Sequence, residues 1–359
     1  MSTKIHEPPV KATHLLMVVA QEGSPRGYRV LNLPNDYRPL IKELAYRAVA
    51  NEPGAAGGPW HLAIRLEDTD TPQPRLRLDA CLVDRERPLA RLCIPVQNLA
   101  WLARDMATEL SLKGRFSFYV SVLSPNDPMV GKWSAATDDD ADFEVDTQAA
   151  ELQLPSQFTT EPIGPRRSVT RLGSWLRCVF KEDVFKEFVE AGAAENKVER
   201  CWVGATQLHL TKGGAYSVIE EILEVPAIMA GREYVRALGR DFMQRHQQLG
   251  GRLGAFLHLH PPRYKNVPLS PHPSGPDSVV AWNLDASTPL LVSLPITMFG
   301  SGCAAASALR EAEEAVLAPA GAHLRNKQEK EPPSSTRPRI AAHGYADGLL
   351  SEIDLEVLI

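Results

Sequence analysis

A proline-rich acidic segment, residues 124–165, interrupts the chain and constrains its fold most strongly. Its acidic run has little apolar periodicity and consists of Asp138, Asp139, Asp140, Asp142, Glu144 and Asp146. Such a composition is typical of a solvated linker. The whole chain has 29 prolines in 359 residues, above the usual ~5%, which disfavours a compact all-helical bundle. The segment therefore predicts two folded blocks separated by a linker.

The patterning of the two blocks predicts the α+β fold class. Residues 1–123 contain short strands rich in β-branched and aliphatic residues, together with about two amphipathic helices. Residues 166–320 show a similar mixture, and residues 321–359 begin with a polar, proline-containing stretch typical of a disordered tether. We expect an N-terminal α+β domain of unknown role at 1–123, a linker at 124–165, a second domain at 166–320, and a polar tether with an apolar C-terminal tail at 321–359.

Charge, hydropathy and cysteine usage disfavour several functional classes. The 39 basic and 44 acidic side chains give a formal charge of −5, so no basic excess is available to neutralise nucleic-acid phosphates. The apolar runs are far shorter than the ~20 residues that a membrane-spanning helix needs, and the N-terminus lacks the apolar core of a secretory signal. The five cysteines are odd in number and widely spread, which favours free thiols in a reducing compartment. We expect a cytoplasmic protein with neither nucleic-acid nor membrane partners.

The stretch from 254 to 277 carries the residues that point to chemistry. His258 and His260 alternate within an apolar strand, so they project from the same side with Cα atoms ~6.5–7 Å apart. Two imidazoles at this spacing can bind one Zn²⁺ ion. Pro261 ends the strand, and the following loop contains Ser274 and Asp277 in the spacing Ser-x-x-Asp. A carboxylate at Asp277 could complete a three-ligand set with a water in the fourth position, the arrangement of a catalytic zinc.

A metal-activated water needs a base to accept its proton. Glu199 is the best candidate, because it lies where a predicted amphipathic helix gives way to the first strand of a predicted hairpin. Glu220, Glu221 and Glu224 lie on the return strand of that hairpin and compete for the role.

The pattern His-x-His-Pro followed by Ser-x-x-Asp, with a glutamate upstream after an amphipathic helix, resembles the JAMM (MPN-plus, or JAB) zinc metalloproteases. The resemblance covers about residues 175–299, in the order helix, glutamate, hairpin, helix, His-x-His-Pro and Ser-x-x-Asp. It implies that residues 166–320 form a JAMM-like catalytic domain with a mixed sheet of the cytidine-deaminase-like α/β/α type.

The resemblance also implies a role for each motif residue. His258, His260 and Asp277 would bind Zn²⁺, Glu199 would be the general acid and base, and Ser274 would hydrogen-bond the oxyanion. Twelve residues (262–273), with His272 among them, separate His-x-His-Pro from Ser-x-x-Asp, where the family usually has six or seven. His272 could therefore offer a competing ligand.

Members of this family hydrolyse isopeptide or peptide bonds after the C-terminus of ubiquitin or a ubiquitin-like protein. Their bacterial relatives often occur with activating and conjugating enzymes in phage-defence operons. The resemblance thus implies a deconjugating or precursor-processing hydrolase whose partners are a ubiquitin-like protein and enzymes of the same pathway. Two alternatives stay open: a non-catalytic MPN-type interaction scaffold, and a zinc amidohydrolase acting on a small molecule.

Overall fold

A computed structural model describes the chain at residues 14–56, 58–67, 74–83, 87–124, 126–133, 142–143, 145, 150–163, 175–193, 199–230, 235–237, 239–250, 253–260, 294–299, 340–346 and 349–359. The chain forms two compact units. The first consists of Met1–Gln148 with Asp347–Leu349, and the second of Ala149–Ala346 with Leu350–Ile359. Both contain helices and sheets, so the predicted α+β class is confirmed.

The described part of the first unit contains two antiparallel sheets and four α-helices. Its strands are β1 (His14–Gln21), β2 (Ser24–Asn32), β3 (Trp60–Glu67), β4 (Arg75–Leu82), β5 (Pro88–Pro95), β6 (Ser117–Val122) and β7 (Asp142–Phe143). Its helices are α1 (Leu33–Asp36), α2 (Arg38–Asn51), α3 (Ala100–Glu109) and α4 (Pro128–Trp133). The strand orders are β2-β1-β6 and β5-β4-β3-β7.

Helix α2 forms the centre of this first unit. It packs against β4 and β5, and side chains around most of its circumference are buried, Leu40, Leu44 and Tyr46 completely. A helix that is buried nearly all round is typical of a core element. The apolar residues of β4 alternate with polar ones, and Leu76 and Leu78 are fully buried. This alternation gives the sheet one face towards the core.

The second unit is built on a single large sheet. Its strands are β8 (Thr160–Pro162), β9 (Leu176–Lys181), β10 (Arg200–Thr211), β11 (Gly214–Glu224), β12 (Ala227–Ala230), β13 (Val235–Ala237), β14 (Leu253–His260), β15 (Leu294–Phe299), β16 (Ile340–Ala346) and β17 (Leu349–Leu358). Its described helices are α5 (Glu182–Ala193) and α6 (Gly239–Gln248).

The large sheet is mixed and its strand pairing closes on itself. The order is β16-β15-β14-β10-β11-β9-β17-β8, and β16 also pairs with β17. The pairs β9–β11, β9–β17 and β14–β15 are parallel, whereas β10 is antiparallel to both of its neighbours, β11 and β14. Strands β12 and β13 form a separate two-stranded sheet.

The two described helices of the second unit cover opposite faces of β10. Phe188 of α5 packs edge-on against Trp202, with ring centroids 5.5 Å apart. Val203, the next residue along β10, belongs to a buried cluster that also contains Leu249, just after α6, and contacts Phe242 of α6. Because successive strand residues project to opposite faces, α5 and α6 bury the two sides of the strand that follows Glu199.

The predicted boundaries differ from those of the structure at two places. β7 and β8 lie inside the predicted linker (124–165), and each pairs with a sheet, β7 with β3 and β8 with β17. The predicted tail (321–359) contributes β16 and β17 to the same sheet as β9 and β15. Short segments can join a sheet because pairing satisfies their backbone hydrogen bonds. None of the described helices is long and apolar enough to cross a lipid bilayer.

Candidate functional site

Glu199 and His258 lie on neighbouring strands, at the same end of the pair. Strand β10 begins one residue after Glu199 and runs antiparallel to β14, which ends at His260. The register sets Cys201 directly opposite His258. Glu199 precedes the strand, and its carboxylate is near enough to the Cys201 thiol to contribute to the raised pKa of that thiol, so it lies close to the face that carries Cys201 and His258. Glu199 and His258 are both buried, with 4% and 2% of their surface exposed.

The register also gives an approximate separation for these two side chains. Arg200 is opposite Leu259, and extending that register by one residue makes Glu199 and His258 diagonal neighbours. Diagonal neighbours have Cβ atoms roughly 7–8 Å apart or somewhat less. A glutamate and a histidine at that separation can approach the same small ligand from two sides.

An ion pair fixes the start of β10. The Arg200 guanidinium donates two hydrogen bonds to the carboxylate of Glu224 on β11, from Nε at 2.8 Å and from Nη2 at 2.7 Å. It also lies over the Trp202 ring, 4.9 Å from the centroid. One residue further along, the amide of Val225 donates to the carbonyl of Cys201 at 3.0 Å. These contacts restrain the backbone on the C-terminal side of Glu199.

The imidazole of His258 rests on an aromatic side chain. The Phe256 ring stacks on it, with centroids 5.7 Å apart and planes 27° from parallel. Phe242 of α6 contacts the Phe256 ring in turn, at 6.0 Å and 33°. The surrounding core cluster consists of Cys201, Val203, Ala205, Val225, Leu249 and Phe256, with Leu223 and Phe242 packed against it. The histidine thus borders a packed apolar core.

The cysteine opposite His258 is a neutral thiol at neutral pH. Burial raises the pKa of Cys201 to about 12, and the nearby carboxylates of Glu224 and Glu199 act in the same direction. Its sulfur lies 3.9 Å from the carbonyl oxygen of Val225. Only the thiolate is an effective nucleophile, so Cys201 does not supply one. None of the described cysteines, which also include Cys81, Cys93 and Cys178, forms a disulfide bond within the described part of the chain.

The four candidate glutamates occupy different environments. Glu220 forms an ion pair with Lys181 at 2.9 Å. Glu221 is exposed, and Glu224 is held by Arg200 with 46% of its side chain exposed. Glu199 alone among these four is both buried and directly before the strand that pairs with β14.

Part of the predicted site lies outside the described residues. Ser274, Asp277 and His272 fall within 261–293, and the side chain of His260 is likewise outside the description. In the described part of the chain, no three His, Cys, Asp or Glu side chains are grouped as a metal ion would require. The predicted ligand set is not contained in that part of the chain.

The sequence prediction did not include the residues that support Glu199 and His258. Phe256 precedes His258 by two residues in a strand, and this spacing alone indicates that the two side chains share a face. The sequence gives no such indication for the contact between Arg200 and Glu224. This contact depends on the register of the hairpin, which sets Trp202 opposite Glu224.

Comparison with known proteins finds no family, and the structural likeness reported below is weak. No family model matches the chain, and no curated protein matches it. Among solved structures, the chain is similar to the solution structure of protein DSY2949 from Desulfitobacterium hafniense, with 12% sequence identity and a TM-score of 0.29. The alignment covers 50% of this chain and 92% of that one. A likeness at this level identifies neither a fold family nor a function.

Proposed function

We propose that this chain is a zinc-dependent peptidase or isopeptidase of the JAMM type, which cleaves after the C-terminus of a ubiquitin-like protein. The observation that carries the proposal is the pairing of β10 with β14, which brings buried Glu199 and buried His258 to the same end of two adjacent strands. A hydrolytic metal site needs a base next to its ligands. The placement of these two residues, which are 59 positions apart in the chain, supports such a site.

The order of elements in the second unit also supports the proposal. Helix α5 is followed by Glu199, the β10–β11 hairpin, helix α6, and β14 with both histidines near its end. This is the order on which the resemblance to JAMM metalloproteases rests. A JAMM-like mixed-sheet catalytic domain is accordingly part of the proposal.

The residues present are chemically suited to zinc. Two imidazoles, from His258 and His260, and one carboxylate, from Asp277, are nitrogen and oxygen ligands of the kind that catalytic zinc uses. Burial of His258 against an apolar cluster supplies the hydrophobic surroundings that limit solvent access. When bound, zinc would lower the pKa of a water to ~7 and polarise the substrate carbonyl.

The chain's own residues would perform the proton transfers. Glu199 would accept a proton from the attacking water and deliver it to the leaving amine. The Ser274 hydroxyl would donate a hydrogen bond to the oxyanion that develops on the substrate carbonyl. Arg200 and Glu224 would hold the backbone beside Glu199 in place. The partners would be a ubiquitin-like protein and the activating and conjugating enzymes of its pathway.

The test combines metal content with cleavage of a ubiquitin-like protein joined through its C-terminus to a reporter peptide. The purified full chain is expected to contain about one zinc per molecule. Glu199→Gln is expected to keep the zinc and to lose about 10²–10⁴-fold in cleavage rate. Glu221→Gln, which neutralises an exposed glutamate on β11, is the matched control and should retain both properties.

Each alternative gives a different result in the same experiment. Zinc content that is undiminished in the double variant His258→Ala, His260→Ala would refute the site. Full activity of Glu199→Gln would assign the base to another residue. Zinc with cleavage of a small amide only would indicate an amidohydrolase, and absence of both zinc and cleavage would indicate a non-catalytic scaffold.

A further inference from the structure

We infer that Phe256 is a positioning residue for His258, and that α6 sets the orientation of this proposed zinc ligand through Phe242. The inference rests on the proposed function, since it assigns Phe256 a role towards a metal that His258 would bind. It depends on a chain of three rings in contact: His258 on Phe256 at 5.7 Å, and Phe256 on Phe242 at 6.0 Å.

The geometry of the first contact favours orientation over simple burial. The imidazole and the Phe256 ring are 27° from parallel, so the phenyl ring covers a face of the imidazole. Both imidazole nitrogens lie on the ring edge, and their lone pairs or N–H bonds lie in the ring plane. A stack therefore fixes the plane in which a nitrogen can meet a metal and does not occupy the nitrogen itself.

The second contact restrains the Phe256 ring. Phe256 is 6% exposed and belongs to the cluster of Cys201, Val203, Ala205, Val225 and Leu249. Its contact with Phe242 reaches α6, which lies on the same face of β10 as that cluster. Packed core side chains have few alternative rotamers. The orientation of His258 is thus determined by residues on two strands and a helix.

The residue after Phe256 on the same strand, Leu257, offers a matched control. Leu257 lies between Phe256 and His258 in sequence, is fully buried, and projects to the other face of β14. Truncating Leu257 perturbs the same strand without touching the ring stack. An effect that is specific to Phe256 separates positioning from a general loss of packing.

The experiment measures the zinc affinity of the full chain by competition with a chromophoric chelator. Phe256→Leu removes the stack but keeps an apolar side chain, and it is expected to weaken zinc binding by about three- to tenfold, the range for loss of an aromatic pair. Phe256→Tyr retains the ring, and its zinc affinity should stay within about twofold of that of the unmodified chain, below the loss expected for Phe256→Leu. Leu257→Val should likewise leave zinc affinity unchanged.

A second measurement does not need zinc. In metal-free protein with isotope-labelled histidine rings, the ring protons of His258 are shifted by the Phe256 ring current, and Phe256→Leu should move these signals while Leu257→Val should not. Unchanged zinc affinity in Phe256→Leu, or an equal loss in Leu257→Val, would overturn the inference and leave the proposed function intact. If the unmodified chain binds no zinc, the proposed function fails, and unchanged His258 signals in Phe256→Leu would then overturn the positioning role as well.

Discussion

The ion pair between Arg200 and Glu224 offers a quantitative test of how β10 is fixed next to Glu199. Replacing Arg200 with Met keeps an unbranched apolar stem over Trp202 but removes the charge. The change deletes two charge-assisted hydrogen bonds, at 2.8 and 2.7 Å, and a cation–π contact at 4.9 Å. The side chains of Arg200 and Glu224 are 29% and 46% exposed, so solvent screens part of the attraction.

The expected magnitude follows from these contacts. An exposed ion pair contributes about 0.2–1 kcal/mol, and a bidentate geometry places this pair at the upper end. The contact with Trp202 adds about 0.5–1 kcal/mol. We therefore expect Arg200→Met to lower the free energy of unfolding by about 1–2 kcal/mol. In a double-mutant cycle with Glu224→Gln, the coupling energy should be about 1 kcal/mol.

The assay is urea denaturation of the unmodified chain, both single variants and the double variant. The chain contains a matched comparison in Lys181 and Glu220, which join β9 to β11 through one contact at 2.9 Å with side chains 40% and 24% exposed. For that pair we expect a coupling energy of at most about 0.5 kcal/mol. A coupling for Arg200 and Glu224 that is no larger than this control would refute the reasoning. Under the proposed function, Arg200→Met should also slow cleavage while leaving zinc content unchanged, because Arg200 is adjacent to Glu199 and is not a predicted ligand.

Two further predictions concern the same strand pair and its hairpin. Gly214→Ala should lower the free energy of unfolding by about 1–3 kcal/mol, because its Cβ would lie 2.8 Å from the Trp175 carbonyl oxygen that already accepts a hydrogen bond from Ala215. Gly213→Ala, whose Cβ would meet nothing closer than 3.8 Å, should change the free energy of unfolding by no more than about 0.5 kcal/mol in the same urea experiment. Equal effects of the two substitutions would contradict the packing argument. Cys201, whose pKa burial raises from 9.0 to about 12, should resist iodoacetamide at pH 8 until the protein is unfolded, as measured by peptide mass spectrometry. Because folding raises the pKa of this thiol, its contribution to the free energy of unfolding is complete below pH 9 and is lost as the pH rises towards 12. Rapid labelling of Cys201 in the folded protein would disprove the raised pKa.

Strands with clear alternation were predictable from the sequence, and one bounded by prolines was not. The alternating pattern predicts strands at Trp60–Glu67 and 75–84, where the structure has β3 and β4 (Arg75–Leu82). The predicted hairpin turn at Thr211–Gly214 joins β10 to β11. β5 escapes prediction because it begins at Pro88 and ends at Pro95. β5 lies at the edge of its sheet, where prolines are tolerated because the edge does not need every amide donor.

A predicted helix was partly wrong for a different reason. The apolar spacing of residues 232–250 predicts one continuous helix, but the structure has strand β13 (Val235–Ala237) followed by α6, which begins at Gly239. β13 pairs with β12, which directly follows the hairpin and Pro226. Helical periodicity within a segment contains no information on such a pairing partner, and tertiary pairing overrides it.

The pairing of β17 likewise could not be predicted from local sequence periodicity. Its apolar character is visible in the sequence, but its partner β9 lies more than 160 residues earlier in the chain. Buried Glu356 of β17 accepts a hydrogen bond from the Thr160 hydroxyl at 2.6 Å and lies 3.7 Å from Arg177. A buried carboxylate requires such partners, yet neither of them is near it in sequence.

The candidate site itself depends on strand direction more than on any single motif. β10 and β14 are antiparallel, so the residue before β10 and the last residues of β14 meet at one end of the pair. β14 ends at His260, and Ser274 and Asp277 lie outside the described residues. The topology thus gives Glu199 and the ends of both strands a common location, although Glu199 and His258 are 59 residues apart in the chain. A motif in one segment contains no information on this pairing, which only the antiparallel register of β10 and β14 supplies.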